Sequence, residues 1–211
     1  MSVEVTIEPI RRKVVWGMRG RLTLAVMGIL SLTSCSQMIR TGQSPAYLIV
    51  ANLQGATGVA GAFGASLQSD VLNVNPTTGA TSVAADRGQA TLQLALKDPL
   101  GATPTDVNSV TITQYHVEYV RTDGRNVQGV DVPFAFDGAV TVTVSGAGTA
   151  VPFTLVRVQA KQEAPLAAMA FGGGANTITT IARVTFYGRD QNGREVSVMG
   201  NIEVTFSDWA G

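Results

Sequence analysis

Residues 182–207 read ARVTFYGRDQNGREVSVMGNIEVTFS, and their periodicity decides the fold class. Ala182, Val184 and Phe186 alternate with Arg183, Thr185 and Tyr187. Ile202, Val204 and Phe206 alternate with Glu203, Thr205 and Ser207. A period of two puts the apolar set on one face of an extended strand and the polar set on the other. Between the runs lies Asp190-Gln191-Asn192-Gly193, and Asn-Gly supplies the positive φ that a tight hairpin demands. The two runs are expected to pair with their aliphatic faces inward, because a one-residue slip would turn every apolar side chain to water.

Working outward, similar runs recur at 46–53 (AYLIVANL), 70–74 (DVLNV), 90–97 (ATLQLALK), 107–121, 139–145 (AVTVTVS) and 151–161, with 177–187 and 196–207 closing the set. Asn75-Pro76 and Asp98-Pro99 punctuate them as turns. No segment sustains a helical period. The pattern predicts an all-β chain: one antiparallel β-sandwich domain over 46–211 with about eight strands. Within 107–121, Val110 and Ile112 share one parity while Tyr115, Val117 and Tyr119 share the other. That switch near Gln114 predicts a β-bulge or a strand crossing between sheets. These cues resemble the immunoglobulin-like and fibronectin-type sandwiches, without the Cys…Trp…Cys pattern of antibody domains.

The N-terminal part reads differently. Residues 19–37 are RGRLTLAVMGILSLTSCSQ: Arg19 and Arg21, then an apolar run over 22–32, then small residues and Cys35. The order matches a secretory signal, and the run is too short for a spanning helix of roughly 20 apolar residues. Leu32-Thr33-Ser34-Cys35 resembles the lipobox of bacterial lipoproteins. That resemblance implies a signal peptide over 1–34, including an N-terminal signal helix, and a diacylglycerol on the Cys35 thiol. It also implies cleavage before Cys35 and a lipidated tether over 35–45. Ser36, where an Asp is associated with inner-membrane retention, favours an outer membrane. Stretches 115–136 and 186–206 also resemble bacterial lipoproteins of uncharacterised role, a likeness that implies no activity. Cleavage by the ordinary signal peptidase, with Cys35 left free, is the competing reading. Met18 would open a compact leader, so it is expected to be the true start.

Composition narrows the function. Of 15 basic residues five precede Cys35, and of 15 acidic residues two do, leaving ten basic and thirteen acidic, a net of −3. A mildly acidic domain is a poor match for nucleic acid, which rewards clustered Lys and Arg. Cys35 is the single cysteine, so no internal disulfide can form.

Chemistry is sparse. His116 is the only histidine, and a strand histidine is ordinarily solvated or hydrogen-bonded. No catalytic constellation is predicted, and no zinc site can be assembled from one His and one Cys. Asp123, Asn126, Asp131 and Asp137 in 122–138 (TDGRNVQGVDVPFAFDG) are the weak calcium candidates, with turn chemistry as the plainer reading. No cofactor is expected beyond the lipid on Cys35. Arg157, Arg183, Glu118 and Glu203 are expected to form a cross-strand charge ladder.

Two loops are unusually apolar: 55–67 (GATGVAGAFGASL) and 164–175 (APLAAMAFGGGA). Phe63, Leu166, Met169 and Phe171 are the candidate partner or membrane contacts, unless they fold back over the ends of the sandwich. Simple strand alternation would put the second loop at the tether's end, facing the membrane. The reading drawn is a non-enzymatic, membrane-anchored envelope module that binds a protein partner. The second reading is a glycan-binding module using Tyr115, Tyr119 or Tyr187. A carboxylate-pair hydrolase is a distant third.

Overall fold

The computed structural model describes residues 44–209, apart from 59, 99–102, 147 and 173–175. Its strands in chain order are β1 (Ala46–Ala56), β2 (Ser66–Asp70), β3 (Asn73–Val74), β4 (Thr81–Ser82), β5 (Asp86–Leu96), β6 (Val110–Val120), β7 (Phe136–Val144), β8 (Thr149–Val156), β9 (Ile178–Asp190) and β10 (Glu195–Ser207). One short helix, α1 (Val158–Gln162), follows β8, and 3-10 turns occupy Asp106–Asn108 and Leu166–Met169. A three-stranded sheet, β1-β5-β8, faces a five-stranded sheet, β2-β10-β9-β6-β7, and β3-β4 is a small separate hairpin. All pairings are antiparallel except β2 on β10, which is parallel. The all-β sandwich expected from the periodicity is present, and its strand order is immunoglobulin-like. The expected signal helix, the lipobox with Cys35, and Met18 lie outside the described residues.

The C-terminal hairpin forms in the predicted register, with Ile202 opposite Ala182 and Val198 opposite Phe186. Gly193 takes a φ of 78°, and its N–H donates to the Asp190 carbonyl at 2.9 Å. The Asp190 carboxylate accepts the Asn192 and Arg194 N–H groups, each at 2.9 Å. Burial pushes this carboxyl up, but those N–H groups, with the Ser44 hydroxyl alongside, outweigh it and hold it below its usual range.

Between the sheets the inward residues form one continuous core. The Tyr115 ring meets Phe153, Phe136 and Phe186 at 5.4, 6.3 and 6.5 Å between centroids, and Tyr119 meets Phe206 at 5.6 Å. Each such buried ring contributes about 1.5–3 kcal/mol by leaving water. Tyr119 donates to the Leu155 carbonyl at 2.7 Å, joining β6 to β8 across the sandwich. Burial pushes its phenol well up, so it stays a donor.

Two local expectations change, and a third, left open between two readings, is decided. The run at 151–161 is strand only to Val156; Ala160 and Lys161 are both buried. The helical turn carries the Lys161 ammonium inward to Asp86. The parity switch in β6 is a bulge, not a crossing: the register with both β7 and β9 shifts between Ile112 and Gln114. And the expected strand 70–74 is broken at Val71–Leu72, while β2 begins at the end of the expected loop 55–67 and pairs with a partner far away in sequence, Glu203–Ser207 of β10.

That parallel strand also resets direction. Because β2 runs the same way as β1, every later strand is reversed relative to simple alternation. The proximal end of the sandwich carries Ser44, Lys97 after β5, the start of β6 and the β9–β10 turn. The distal end carries the β6–β7 loop, α1 with the Leu166–Met169 turn, and Trp209.

Candidate functional site

The outer face of the five-stranded sheet is laid out in rows by its registers. One row runs Asp137, His116, Thr185, Met199; the next runs Ala139, Gln114, Tyr187, Ser197; a third runs Glu118, Arg183, Asn201. Most polar groups here are already paired. His116 Nδ1 lies 2.8 Å from Asp137 Oδ1. Arg189 donates to Glu195 at 3.2 Å, Arg183 sits 3.8 Å from Glu118, and the Thr111 and Thr143 hydroxyls are 3.1 Å apart.

The bulge breaks this regular surface. Opposite β9, Thr113 is the additional residue, and both it and Gln114 face solvent, as bulges re-aim side chains. A groove of about 370 Å³ opens on one side, lined by Thr113, Gln114, Tyr187, Arg189, Glu195 and Ser197. A second recess of the same volume lies on the other side, against Asp137, Gly138 and Ala139. Thr113 and Gln114 form the ridge between them.

A second polar cluster is interior. Lys161 reaches from α1 to Asp86 Oδ2 at 2.9 Å and to the Asp70 carbonyl at 2.7 Å. Asp86 also accepts from Ser69 at 2.6 Å and from the Gly58 N–H at 2.8 Å. Burial raises the Asp70 carboxyl; the Trp209 and Leu72 N–H groups pull it back, and nearby Asp208 adds to the rise. With two acceptors on Lys161 and three donors on Asp86, the pair ties α1, β2 and β5 together.

The four calcium candidates do not converge. Asp123 pairs with Arg121 at 2.6 Å and with Arg125 at 3.0 Å, and the Arg121 hydrogen bond holds its carboxyl far below the usual range. Asn126 accepts the Arg121 N–H, Asp131 accepts the Val127 N–H, and Asp137 holds His116. Among the described residues no three His, Cys, Asp or Glu side chains are placed to hold a metal.

The apolar loops divide. Leu166 and Met169 are buried in the core, and the half-buried Phe63 ring lies 5.1 Å under the Arg87 guanidinium. Leu166 and Met169 fold back into the sandwich, whereas Phe63 keeps part of its ring in solvent. Only Phe171 stands clear, 77 % exposed at a φ of 64°, a left-handed conformation costly for a non-glycine residue. Its loop lies at the distal end, not at the tether's end as simple alternation implied. The ladder is partial as well: Arg183 and Glu118 are in register, but Glu203 lies opposite Ile181 and the Arg157 guanidinium covers the Phe136 ring at 4.6 Å. Tyr115 and Tyr119 are buried, which leaves Tyr187 of the three candidate platform tyrosines.

Sequence reasoning missed the most prominent apolar loop. Val127, Val130 and Phe134 between β6 and β7 are exposed, Val130 by 67 %. The loop is braced from within: the Val130 and Asp131 N–H groups donate to the Val127 carbonyl, and Gly129 donates to the Val132 carbonyl. The four carboxylate and amide side chains of this stretch drew attention away from the valines between them.

No protein-family model matches the chain, and no curated protein matches it. No helix among the described residues is long and apolar enough to cross a membrane.

Proposed function

We propose that this chain is an exported bacterial lipoprotein, anchored through Cys35, whose sandwich is a non-enzymatic module that presents its distal end to a protein partner in the cell envelope. The observation that carries this is polarity along the sandwich. Ser44, nine positions after Cys35, enters at the proximal end, where the Pro45 carbonyl accepts the Lys97 N–H at 2.9 Å. The exposed apolar side chains Val127, Val130, Phe134 and Phe171 gather at the other end. Exposed apolar groups on a braced loop mark contact surfaces, and these lie at the end of the sandwich away from Ser44. An outer-membrane location follows from the lipobox resemblance and Ser36.

Support for a non-enzymatic role comes from His116. Its Nδ1 is held by Asp137 on the exposed face, and among the described residues no hydroxyl or thiol is hydrogen-bonded to its ring. A nucleophile–base pair needs that contact.

The test combines anchoring and contact. An alkyne fatty acid fed to the producing bacterium should label the wild-type protein and place it in the membrane pellet, with both lost in Cys35→Ser. Label that persists in Cys35→Ser, or a wild-type protein that stays soluble, overturns the anchor. A photo-crosslinker at Phe134 should capture a defined protein that one at Asn192 does not. Equal capture at both positions overturns the distal contact.

A further inference from the structure

We propose that the groove beside the β6 bulge binds a neutral saccharide, with Tyr187 as the stacking platform and Gln114, Thr113 and Ser197 as the hydrogen-bonding groups. The inference goes beyond the distal partner contact and does not depend on it.

Four polar side chains with no partner among the described residues are gathered around this one groove. Thr113, Gln114, Tyr187 and Ser197 make no side-chain hydrogen bond among the described residues, whereas the charged neighbours are matched with one another. Uncommitted hydroxyl and amide groups both donate and accept, which is what a ring of sugar hydroxyls offers in return. Tyr187 is 41 % exposed and stands between Gln114 on β6 and Ser197 on β10. An exposed aromatic face accepts the apolar C–H face of a pyranose, while its hydroxyl remains available to the rim.

The groove's chemistry disfavours other ligands. Arg189 is neutralised by Glu195 at 3.2 Å, so no free cation awaits a phosphate or sulfate. The lining contains too little aliphatic surface for a lipid. The volume, about 370 Å³, falls within the small-molecule range. A longer oligosaccharide would have to pass over the Thr113–Gln114 ridge to reach the second recess against Asp137, Gly138 and Ala139. The bulge is the enabling device: without it, Gln114 would follow the parity of Val110 and Ile112 and point inward, and no ridge would stand on the face.

The test uses the full-length chain in detergent on an array of neutral and charged glycans, followed by saturation-transfer NMR on whatever is retained. At least one neutral oligosaccharide should be retained. Its affinity should fall about tenfold or more, or about 1.4 kcal/mol, in Tyr187→Leu and in Gln114→Ala. Thr205→Ala, on the same face but away from the groove, should leave it unchanged. Unfolding midpoints matching wild type exclude a folding defect; should Tyr187→Leu fail that check, Ser197→Ala and Gln114→Ala decide. Retention of charged glycans alone, no retention of any neutral glycan, or binding indifferent to the groove variants overturns the proposal. Cys35→Ser should bind as wild type does, so failure of the anchor and failure of the groove are read separately.

Discussion

Lys161 Nζ and Asp86 Oδ2 lie 2.9 Å apart with both side chains fully excluded from solvent. The pair links the only α-helix among the described residues to the central strand of the three-stranded sheet. Breaking one side leaves the other charge buried without a counter-ion, which costs about 3–5 kcal/mol. Lys161→Ala should therefore lower stability by that amount in denaturant unfolding. Lys161→Met with Asp86→Leu should recover most of the loss, because no buried charge remains. A loss below about 1 kcal/mol in Lys161→Ala would contradict the buried geometry.

Gly138 and Gly88 are predicted to resist any side chain. A methyl at Gly138 would overlap the Tyr115 ring, and one at Gly88 would overlap Phe153. Each glycine lets an aromatic ring lie directly on its strand. Gly138→Ala and Gly88→Ala should each destabilise by about 1–3 kcal/mol, as overpacking does. Gly79→Ala meets no atoms but holds a φ of 68°, so it should cost about 1 kcal/mol through the backbone alone. Thermal unfolding of the three variants tests the order.

Tyr119→Phe removes the hydroxyl that donates to the buried Leu155 carbonyl. An unsatisfied buried acceptor should cost about 1–3 kcal/mol in denaturant unfolding, with the ring packing against Phe206 retained.

Acid should act oppositely on two aspartates. Asp190 is depressed in the folded state, so its stabilisation is present above the unfolded carboxyl pKa and disappears as pH falls through the folded value. Asp190→Asn should destabilise at pH 7, on the order of 1 kcal/mol, with the difference closing in acid. Asp70 is raised by burial, so its folded form favours the proton, and that contribution is lost as pH rises through the folded value. Asp70→Asn should be neutral or stabilising at pH 7, with any gain vanishing below the unfolded carboxyl range. Unfolding curves between pH 3 and pH 7 measure both signs.

Phe134→Ser and Val130→Ser should leave the unfolding midpoint within about 0.5 kcal/mol of wild type, because both side chains are exposed. The same changes should reduce capture of the distal partner. A large loss of stability would show that these side chains serve the fold and not a contact.

Much of the architecture was legible one strand at a time. Alternation from Ala182 to Phe186 and from Ile202 to Phe206, with Asn192-Gly193 between them, determined the hairpin, because local φ preference and one-sided burial agree there. The parity change around Gln114 located the bulge for the same reason. Burial at Leu166 and Met169 was not legible, since an apolar residue in a glycine-rich loop reads alike whether it caps a core or meets a partner.

The sequence by itself determined that this chain makes β-strands, which faces they bury, and where one of them changes parity, because those properties follow from a period of two and from turn chemistry within a few residues. Only the tertiary structure decided which end of the sandwich each loop occupies and which polar groups are left without partners. Ser66–Asp70 carries little strand signal of its own, and its parallel pairing with β10 joins residues far apart in the chain. That one non-local contact reverses every strand after it, moving Phe171 to the distal end. The groove depends equally on pairing: Gln114, Tyr187 and Ser197 meet only because three strands share a register.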